Sequence, residues 1–287
     1  MDSRRGVANA GPALPEPAVA AGEYDERYYL EGCAGADVWR ESAGAHAAGL
    51  YWGSVERARV TPGDTVVDLG TGRGEALVVA CEMGAARAIG VDYAPAALRL
   101  AARTLDAHGV RDRCLALRAD ARRLPLPGGC ADLVLMLDIV EHLTPAELDA
   151  TLSEAVRILR PGGRVFVHTL PSRTLYEVTY RLQRSLPWNR GWPADPRNDD
   201  ERRMHVNEQT VGSLRASLRR AGFAQVEVRV GKWIHDGFVP SARARRTYHR
   251  LAAFPPTARF GAADIWAQAC RPAQPGRTTS RPASSMR

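Results

Sequence analysis

The segment Val66–Glu75, with the sequence VVDLGTGRGE, constrains the fold more than any other part of the chain. Its two valines predict the end of a buried strand, and the apolar residues that follow Glu75 predict a helix. Gly70, Gly72 and Gly74 lie between them, where the missing Cβ atoms let the backbone approach a ligand closely. A strand, a glycine turn and a helix N-terminus in direct succession predict a nucleotide-binding corner.

Acidic residues recur at the ends of four predicted strands. Asp68 lies in the glycine motif itself, and the predicted strands 88–91, 115–119 and 132–137 are followed by acids. These acids are Asp92, Asp120 and Asp138. Because the carboxyl ends of parallel strands meet at one edge of a sheet, we expect the four carboxylates to surround one ligand. The glycines of this chain have the spacing Gly-x-Gly-x-Gly, whereas the motif that binds a dinucleotide pyrophosphate is Gly-x-Gly-x-x-Gly. The Asp68 carboxylate would also repel a pyrophosphate, so it favours a ligand with an ammonium group.

These blocks, in this order, resemble the class I S-adenosylmethionine (SAM)-dependent methyltransferases over roughly residues 60–230. The resemblance is carried by the segments Asp68–Gly74, Gly90–Tyr93, Ala119–Ala121, Leu137–Leu143 and Leu159–Gly163. It implies an α/β, Rossmann-like, doubly wound fold with helices on both faces of a seven-stranded sheet. That sheet would be mostly parallel, with an antiparallel last strand.

The same resemblance implies SAM as the cofactor and gives roles to the strand-end residues. The glycine turn would lie under the methionine part, Asp92 would bind both ribose hydroxyls, and Asp120 would face the adenine amine with Tyr93 beside the ring. A NAD-type Rossmann domain and a catalytically inert relative are the alternatives. The predicted cofactor-binding residues are Asp68, Gly70, Thr71, Gly72, Gly74, Asp92, Tyr93, Asp120, Ala121 and Asp138.

Composition shifts along the chain predict how it is organised. Prolines interrupt the alanine-rich N-terminus, and a later stretch that follows a strand's carboxyl end mixes prolines with aromatic residues, as expected of a lid over the site. The predicted parts are a disordered leader (1–22), an aromatic helical cap (23–59), the cofactor-binding core (60–170), the lid (171–205), the C-terminal part of the sheet (206–271) with an insertion (233–262), and a disordered tail (272–287).

Composition also bounds the environment of the protein. Hydrophobic residues make up 45% of the chain, enough for a packed core, yet no apolar run approaches the roughly 20 residues that a membrane helix needs. The chain is therefore predicted to have no membrane partner. Five scattered cysteines without a Cys-x-x-Cys pair predict a reduced, cytoplasmic protein. The net charge is +7, and the cluster Arg243, Arg245, Arg246 and Arg250 is interpreted as a solvated helix face in preference to an anion-binding surface.

Methyl transfer is an in-line displacement at a sulfonium, so the protein has to align the acceptor and remove its proton. Asp138, Glu141 and His142 lie in one short run, and His205 lies at the predicted start of a later helix. Together they are similar to a set of metal-binding residues in two methyltransferase groups. These are the ubiquinone-pathway O-methyltransferases and the small-RNA 3′-terminal ribose methyltransferases. The resemblance implies a divalent Mg, Mn or Zn ion held by Asp138, Glu141, His142 and His205.

Without a metal, an imidazole is the expected general base, because its pKa lies near working pH. Glu141 would then orient the turn after the fourth strand by hydrogen bonding, and His168 fits a satisfied strand-end histidine. The predicted catalytic residues are Glu141, His142 and His205.

The predicted function is methylation of a small-molecule acceptor, at a hydroxyl oxygen, in bacterial secondary or cell-surface metabolism such as antibiotic biosynthesis. An RNA ribose methyltransferase and a small-molecule C- or N-methyltransferase are the alternatives, and a non-catalytic subunit is the least favoured. No Asn-Pro-Pro-Tyr or Asp-Pro-Pro-Tyr block follows the fourth strand, which disfavours amino methylation of a flipped base. The acceptor's identity and a homodimeric state are left open.

Overall fold

The computed structural model describes residues 13–189, 191–231, 242–253 and 263–273. Residues 1–12 of the predicted leader and 274–287 of the predicted tail lie outside the described residues, as do 233–241 and 254–262 of the predicted insertion.

One mixed sheet forms the centre of the protein. Its strand order is β3-β2-β1-β4-β5-β7-β6, and all neighbours are parallel except β7, which is antiparallel to both β5 and β6. This confirms the predicted fold class. The strands are β1 Thr65–Leu69, β2 Arg87–Asp92, β3 Cys114–Arg118, β4 Ala131–Leu137, β5 Leu159–Thr169, β6 Ala224–Val230 and β7 Ile265–Cys270.

The strand order reverses between β1 and β4, because β2 and β3 add to one side of β1 while β4 and β5 add to the other. Open α/β sheets bind ligands in the crevice that such a reversal leaves at the carboxyl edge of the strands. The motif Val66–Glu75 leaves β1 at this edge and enters a helix directly. The topology therefore indicates a ligand-binding site at this edge.

Helices cover both faces of the sheet. Alternate strand residues point to opposite faces, so Val67 and Met136 pack with helices α5 and α8, whereas Val66 and Leu135 pack with α2, α3 and α4. The helices are α1 Ala36–Ser42, α2 Gly49–Ala58, α3 Glu75–Glu82, α4 Pro95–Ala107, α5 Pro145–Ile158, α6 Tyr180–Arg184, α7 Asp199–Met204, α8 Val211–Arg220 and α9 Ala242–Ala253.

Helix α5 starts where its capping signals predict. The Thr144 hydroxyl accepts a hydrogen bond from the Glu147 amide, and the Glu147 carboxylate accepts one from the Thr144 amide at 2.9 Å. This reciprocal capping box satisfies two amides that a helix N-terminus otherwise leaves unpaired. It also fixes the Glu147 side chain at the carboxyl edge of the sheet.

Two local predictions are wrong. His205 does not start a helix: it is the C-cap of α7, a short helix that the capping box of Asn198 and Glu201 begins and that the sequence did not predict. The predicted helix is α8, which starts at Val211 with Thr210 as its N-cap. Residues 13–22 were predicted as part of a disordered leader, yet Val19 is buried and the segment hydrogen-bonds to the domain. Arg122, Tyr93 and Glu147 hold it, which no local pattern could reveal.

The arginines at 243, 245, 246 and 250 are exposed on α9. The five cysteines are free thiols, although Cys81 and Cys114 bring their sulfur atoms to 3.2 Å. Among the described helices none combines the length and the apolar character needed to traverse a bilayer.

Candidate active site

A cavity lies at the carboxyl edge of the sheet, where β1, β2 and β4 end. Its floor contains the glycine turn, and the segment 24–34 together with Tyr51 closes one side. On another side it is lined by residues of α7. Of the predicted cofactor residues, the cavity contacts Asp68, Gly70, Thr71, Gly72, Asp92, Tyr93, Asp120, Ala121 and Asp138.

The glycine turn is shaped for close approach. Gly70 has φ +75°, and a Cβ there would lie 3.0 Å from the Ile139 side chain. Gly74 differs from the prediction, since it is not among the cavity residues. It has φ +78° before α3, and a Cβ would lie 3.0 Å from the Cβ of Ala101. Its role is therefore helix packing, not ligand contact.

Asp68 places an unpaired carboxylate oxygen in the floor of the cavity. The residue is 2% exposed, and neither its Oδ1 nor the Thr71 hydroxyl has a hydrogen-bond partner. Burial raises the pKa of Asp68 to about 7. The nearby Thr71 hydroxyl favours the ionised carboxylate and partly offsets this rise. Buried polar atoms are rarely left unpaired, so this pair of atoms fits a ligand that brings a donor such as an ammonium group.

Asp92 ties the end of β2 to the glycine turn. Its Oδ2 accepts a hydrogen bond from the Gly72 amide at 3.0 Å, and its Oδ1 accepts one from the Ala94 amide at 2.9 Å. Burial raises the pKa of Asp92 to about 6 against these backbone hydrogen bonds. Each oxygen keeps lone-pair capacity at the cavity wall, which fits two neighbouring hydroxyl donors.

Asp120 is at the predicted end of the cavity but is already engaged. Its Oδ1 accepts hydrogen bonds from the Arg122 amide at 2.8 Å and from Arg122 Nε at 3.0 Å, and its Oδ2 accepts one from Arg122 Nη2 at 2.7 Å. A carboxylate accepts about four such bonds. The expected contact between Asp120 and an adenine amine therefore competes with a bidentate ion pair.

Arg73, inside the glycine turn, is a functional residue that the sequence reasoning missed. It is 2% exposed and forms an ion pair with Glu75 at 2.8 Å. Its other nitrogens donate to the carbonyl oxygens of Tyr29 at 2.6 Å and Ala34 at 2.8 Å. The available signal was an arginine between two glycines with a glutamate two positions later. This ion pair joins the turn to the segment that covers the cavity.

Glu141, His142 and His205 come together in the part of the cavity near the ends of β4 and α7. It is called the acceptor side here because the sequence predicts that the acceptor binds there. Their ligand-type atoms lie within 4.8 Å of one another, and the two imidazole rings meet edge to face. His142 Nδ1 and the Tyr24 hydroxyl share a hydrogen bond of 3.0 Å. His205 Nδ1 is buried without a partner.

Burial sets the protonation of this cluster. It lowers the pKa of His142 to about 3 and that of His205 to about 4. Burial, reinforced by the charge of Asp138, raises the pKa of Glu141 to about 8, and the Thr169 hydroxyl donates to Glu141 at 2.8 Å. Two neutral imidazoles and a carboxyl group fit a divalent transition metal, and the unpaired His205 Nδ1 is the atom that most clearly lacks a partner.

Asp138 does not join this cluster, which corrects the predicted four-ligand set. Its Oδ1 lies 2.6 Å from His168 Nδ1, so the carboxylate is directed toward β5. The physical reason is the backbone: Asp138 has φ +55°, a left-handed conformation that re-aims its short side chain.

His168 is held between two carboxylates. Asp138 lies at its Nδ1, and Asp264, another residue missed from the sequence, lies 3.6 Å from its Nε2. Burial lowers the pKa of His168, but the two carboxylates outweigh burial and raise it to about 10. His168 therefore carries a positive charge next to the acceptor side, and Trp266 packs on its ring at 4.1 Å.

Most aromatic residues of the predicted lid face away from the cavity. Tyr180 and Trp192 stack on each other at 5.6 Å, and Arg197 lies over the Tyr176 ring. None of these is among the residues that line the cavity. The lid segment contributes through α7 and its flanks instead, with Asn198, Asp200, Glu201, Met204 and His205.

A sequence profile of the methyltransferase domain matches residues 66–163. This stretch contains the glycine turn and all four strand-end acids. Residues 66–163 are thus a methyltransferase domain, and the sheet has the fold of the class I SAM-dependent methyltransferases. The profile ends before the lid, α7 and the last two strands, so it does not cover the part of the cavity that α7 lines.

Relatives of this methyltransferase domain have different acceptors in their names. The demethylmenaquinone methyltransferase of Thermus thermophilus is 35% identical over 43% of this chain and 56% of that enzyme. The erythromycin 3''-O-methyltransferase of Saccharopolyspora erythraea is 27% identical over 70% of this chain and 62% of that enzyme. The chain thus spans little more than half the length of the first of these relatives.

Among solved structures, the [4+2]-cyclase SpnF has a TM-score of 0.60 at 18% identity and covers 91% of this chain and 98% of its own. At this identity the likeness shows the fold alone. Since that protein is named for a cyclisation, the fold by itself does not determine the reaction.

Proposed function

We propose that this protein transfers a methyl group from SAM to a hydroxyl oxygen of a small molecule in bacterial secondary or cell-surface metabolism. One observation carries the proposal: a single cavity joins the unpaired Asp68 carboxylate at one end to the Glu141–His142–His205 cluster at the other. Binding of a cationic donor and proton removal from an acceptor require this adjacency.

The cofactor end fits SAM. Asp68 would accept from its ammonium group and Asp92 from its ribose hydroxyls, while the glycine turn allows close approach. When bound, SAM supplies a sulfonium methyl that an acceptor oxygen displaces in line. Arg73 holds the covering segment over this end through hydrogen bonds to the carbonyl oxygens of Tyr29 and Ala34.

At the acceptor end, His142 and His205 are the proposed general bases. Burial lowers both pKa values, so both imidazoles are unprotonated at neutral pH but are weaker bases than an exposed imidazole. The proposed role therefore depends on their position in the cavity and not on a pKa near working pH. His205 Nδ1 is the better placed, because it has no partner to give up. Glu141 would orient the turn through Thr169.

The charges around the cavity favour a small molecule over RNA. Of the described residues that line it, the arginines are Arg73 and Arg122, and both are paired with carboxylates. Neither is left to neutralise a phosphate, which nucleic-acid binding requires. The name of the erythromycin 3''-O-methyltransferase supports oxygen as the target and secondary metabolism as the setting.

A second proposal concerns the acceptor side alone: a divalent metal ion bound by Glu141, His142 and His205. The unpaired Nδ1 of His205 and the mutual distances favour it. Such an ion would lower the pKa of the acceptor hydroxyl.

The test combines binding with product analysis. Calorimetry should show binding of S-adenosylhomocysteine, with Asp92→Ala weakened by about 1–3 kcal/mol because two ribose hydroxyls lose their partner. SAM labelled in its methyl group is then offered with a small-molecule extract of the source cells or with total RNA. We expect labelled methyl ethers in the small-molecule fraction. Label in RNA would support the alternative acceptor, and failure to bind S-adenosylhomocysteine would remove the methyl donor.

A further inference from the structure

Residues 13–22, here called the strap, lie across one end of the cavity. The carbonyl oxygen of Pro15 accepts a hydrogen bond from Arg122 at 2.8 Å, and the Ala18 amide donates to Glu147 at 2.9 Å. The carbonyl oxygen of Val19 accepts a hydrogen bond from the Tyr93 hydroxyl at 2.8 Å. Val19 is 5% exposed, and both it and Pro17 line the cavity.

The strap contacts the residues that surround the predicted adenine position. Tyr93 follows Asp92 at the end of β2, and Arg122 follows Asp120 just beyond β3. Glu147 comes from the first turn of α5 and also pairs with Arg122 at 3.1 Å. Three elements of the domain thus hold ten residues of chain at one end of the site.

Arg122 is the centre of this arrangement. Its side chain is 5% exposed, and it bonds at once to Asp120, Glu147 and the Pro15 carbonyl oxygen. Two carboxylates compensate one buried guanidinium, and the strap carbonyl accepts one further hydrogen bond. Since the Asp120 oxygens accept repeatedly from Arg122, the carboxylate has little capacity left for a ligand amine.

We propose that the strap closes the adenine end of the SAM site, and that Arg122 and Glu147 are positioning residues that act on the cofactor through it. Asp120 then serves the cofactor by holding Arg122, not by binding the adenine amine. This inference rests on the proposed SAM site. A bound nucleoside must wait for the strap to detach before it leaves, so the strap acts mainly on the dissociation rate.

The experiment measures dissociation of S-adenosylhomocysteine by stopped-flow displacement with excess unlabelled ligand. In one variant, residues 13–20 of the full chain are replaced by a glycine-serine sequence of equal length. We expect the dissociation rate to rise about tenfold or more. The replacement removes the side-chain contacts of Pro17 and Val19 with the cavity, and its flexible backbone loses more conformational entropy when it forms the three backbone hydrogen bonds. Arg122→Gln and Glu147→Gln should each give a smaller rise. The matched control is Asp149→Asn, because Asp149 lies on α5 like Glu147 but does not line the cavity. It should leave the dissociation rate unchanged.

A double-mutant cycle separates the two roles of Asp120. Asp120→Asn should speed dissociation in the natural chain, because Arg122 loses its partner, but should add nothing once the strap is replaced. An equal effect in both backgrounds would mean that Asp120 binds the adenine directly, and would overturn the assignment.

Circular dichroism melting of each ligand-free variant checks the fold. If the strap variant does not fold, the Arg122 and Glu147 variants decide, and unchanged rates in both overturn the inference. The outcomes also separate this inference from the proposed function. If the natural protein does not bind S-adenosylhomocysteine, the proposed function fails. If it binds but the strap variant releases the ligand at the same rate, only the role of the strap fails.

Discussion

At the scale of single residues, the cavity is marked by Asp68, a buried carboxylate with an unpaired oxygen. Burial holds its pKa near 7. Burial without a counter-charge is unfavourable, and proteins keep such groups mainly where a ligand compensates them. The ionised form is the one that a ligand ammonium group stabilises. The affinity for that ligand must therefore depend on pH.

We predict that the affinity for S-adenosylhomocysteine falls as the pH drops below about 7. Above that pH Asp68 is ionised and pairs with the ligand ammonium group, whereas below it the carboxyl group is protonated and the pairing is lost. Calorimetry from pH 5.5 to 8.5 measures this, with Asp68→Asn as the comparison. The variant should bind more weakly at pH 8, by about 1–3 kcal/mol. An unchanged pH profile in the variant would assign the dependence to another group.

At the scale of elements, the Arg73–Glu75 ion pair attaches the cap to the domain. Arg73 donates to two carbonyl oxygens of the covering segment, while Glu75 accepts from the Ala48 amide at 3.1 Å. Both side chains are almost fully buried. Breaking one partner of a buried pair leaves an uncompensated charge, which costs far more than the pair contributes.

Arg73→Met should therefore lower the free energy of unfolding by about 3–5 kcal/mol, because the buried Glu75 charge loses its partner. The double variant Arg73→Met with Glu75→Gln should recover part of that loss. Urea denaturation of the single and double variants measures both effects. Additive losses would show that the two side chains do not act as a pair.

Elements that meet only in the folded chain explain what the sequence could and could not predict. The glycine turn, the strand-end acids and the α5 capping box are local patterns, and the structure contains each of them. The role of Arg73 depends on Tyr29, 44 residues away, and the strap depends on Arg122, 107 residues from Pro15. Asp138 was misplaced because its left-handed backbone angle is not visible in the sequence.

The acceptor-side cluster gives a prediction of its own, since the turn after β4 supplies Glu141 and His142 and the C-cap of α7 supplies His205. If it holds a metal, purified protein should contain about one divalent ion per chain by mass spectrometry, and His205→Ala should lose it. Chelation should then abolish methyl transfer, and Mn²⁺ or Mg²⁺ should restore it. Full activity of metal-free protein would mean that the imidazoles act as general bases without a metal. In that case His205→Ala should lower kcat by about 100-fold or more.

At the scale of the whole molecule, the sheet supplies one edge of the cavity and distant parts of the chain close it. The strap and the segment 24–34 come from before β1, whereas α7 comes from after β5. The sheet core is buried on both faces by two hydrophobic clusters. Ligand binding should thus stabilise the covering segments more than the sheet, because local opening draws on the least buried parts of a fold.

Hydrogen exchange with mass spectrometry tests this distribution. Saturating S-adenosylhomocysteine should slow amide exchange in peptides that cover the strap, the segment 24–34 and the glycine turn, because the bound ligand holds them against the sheet. Peptides from β6, at the far edge of the sheet, should exchange at the same rate with and without ligand and serve as the internal control. Protection confined to the ends of β1 and β2 would contradict closure, since it would mean that the ligand contacts the sheet edge while the covering segments stay open. Equal protection everywhere would instead indicate global stabilisation, with no preference for the segments that line the cavity.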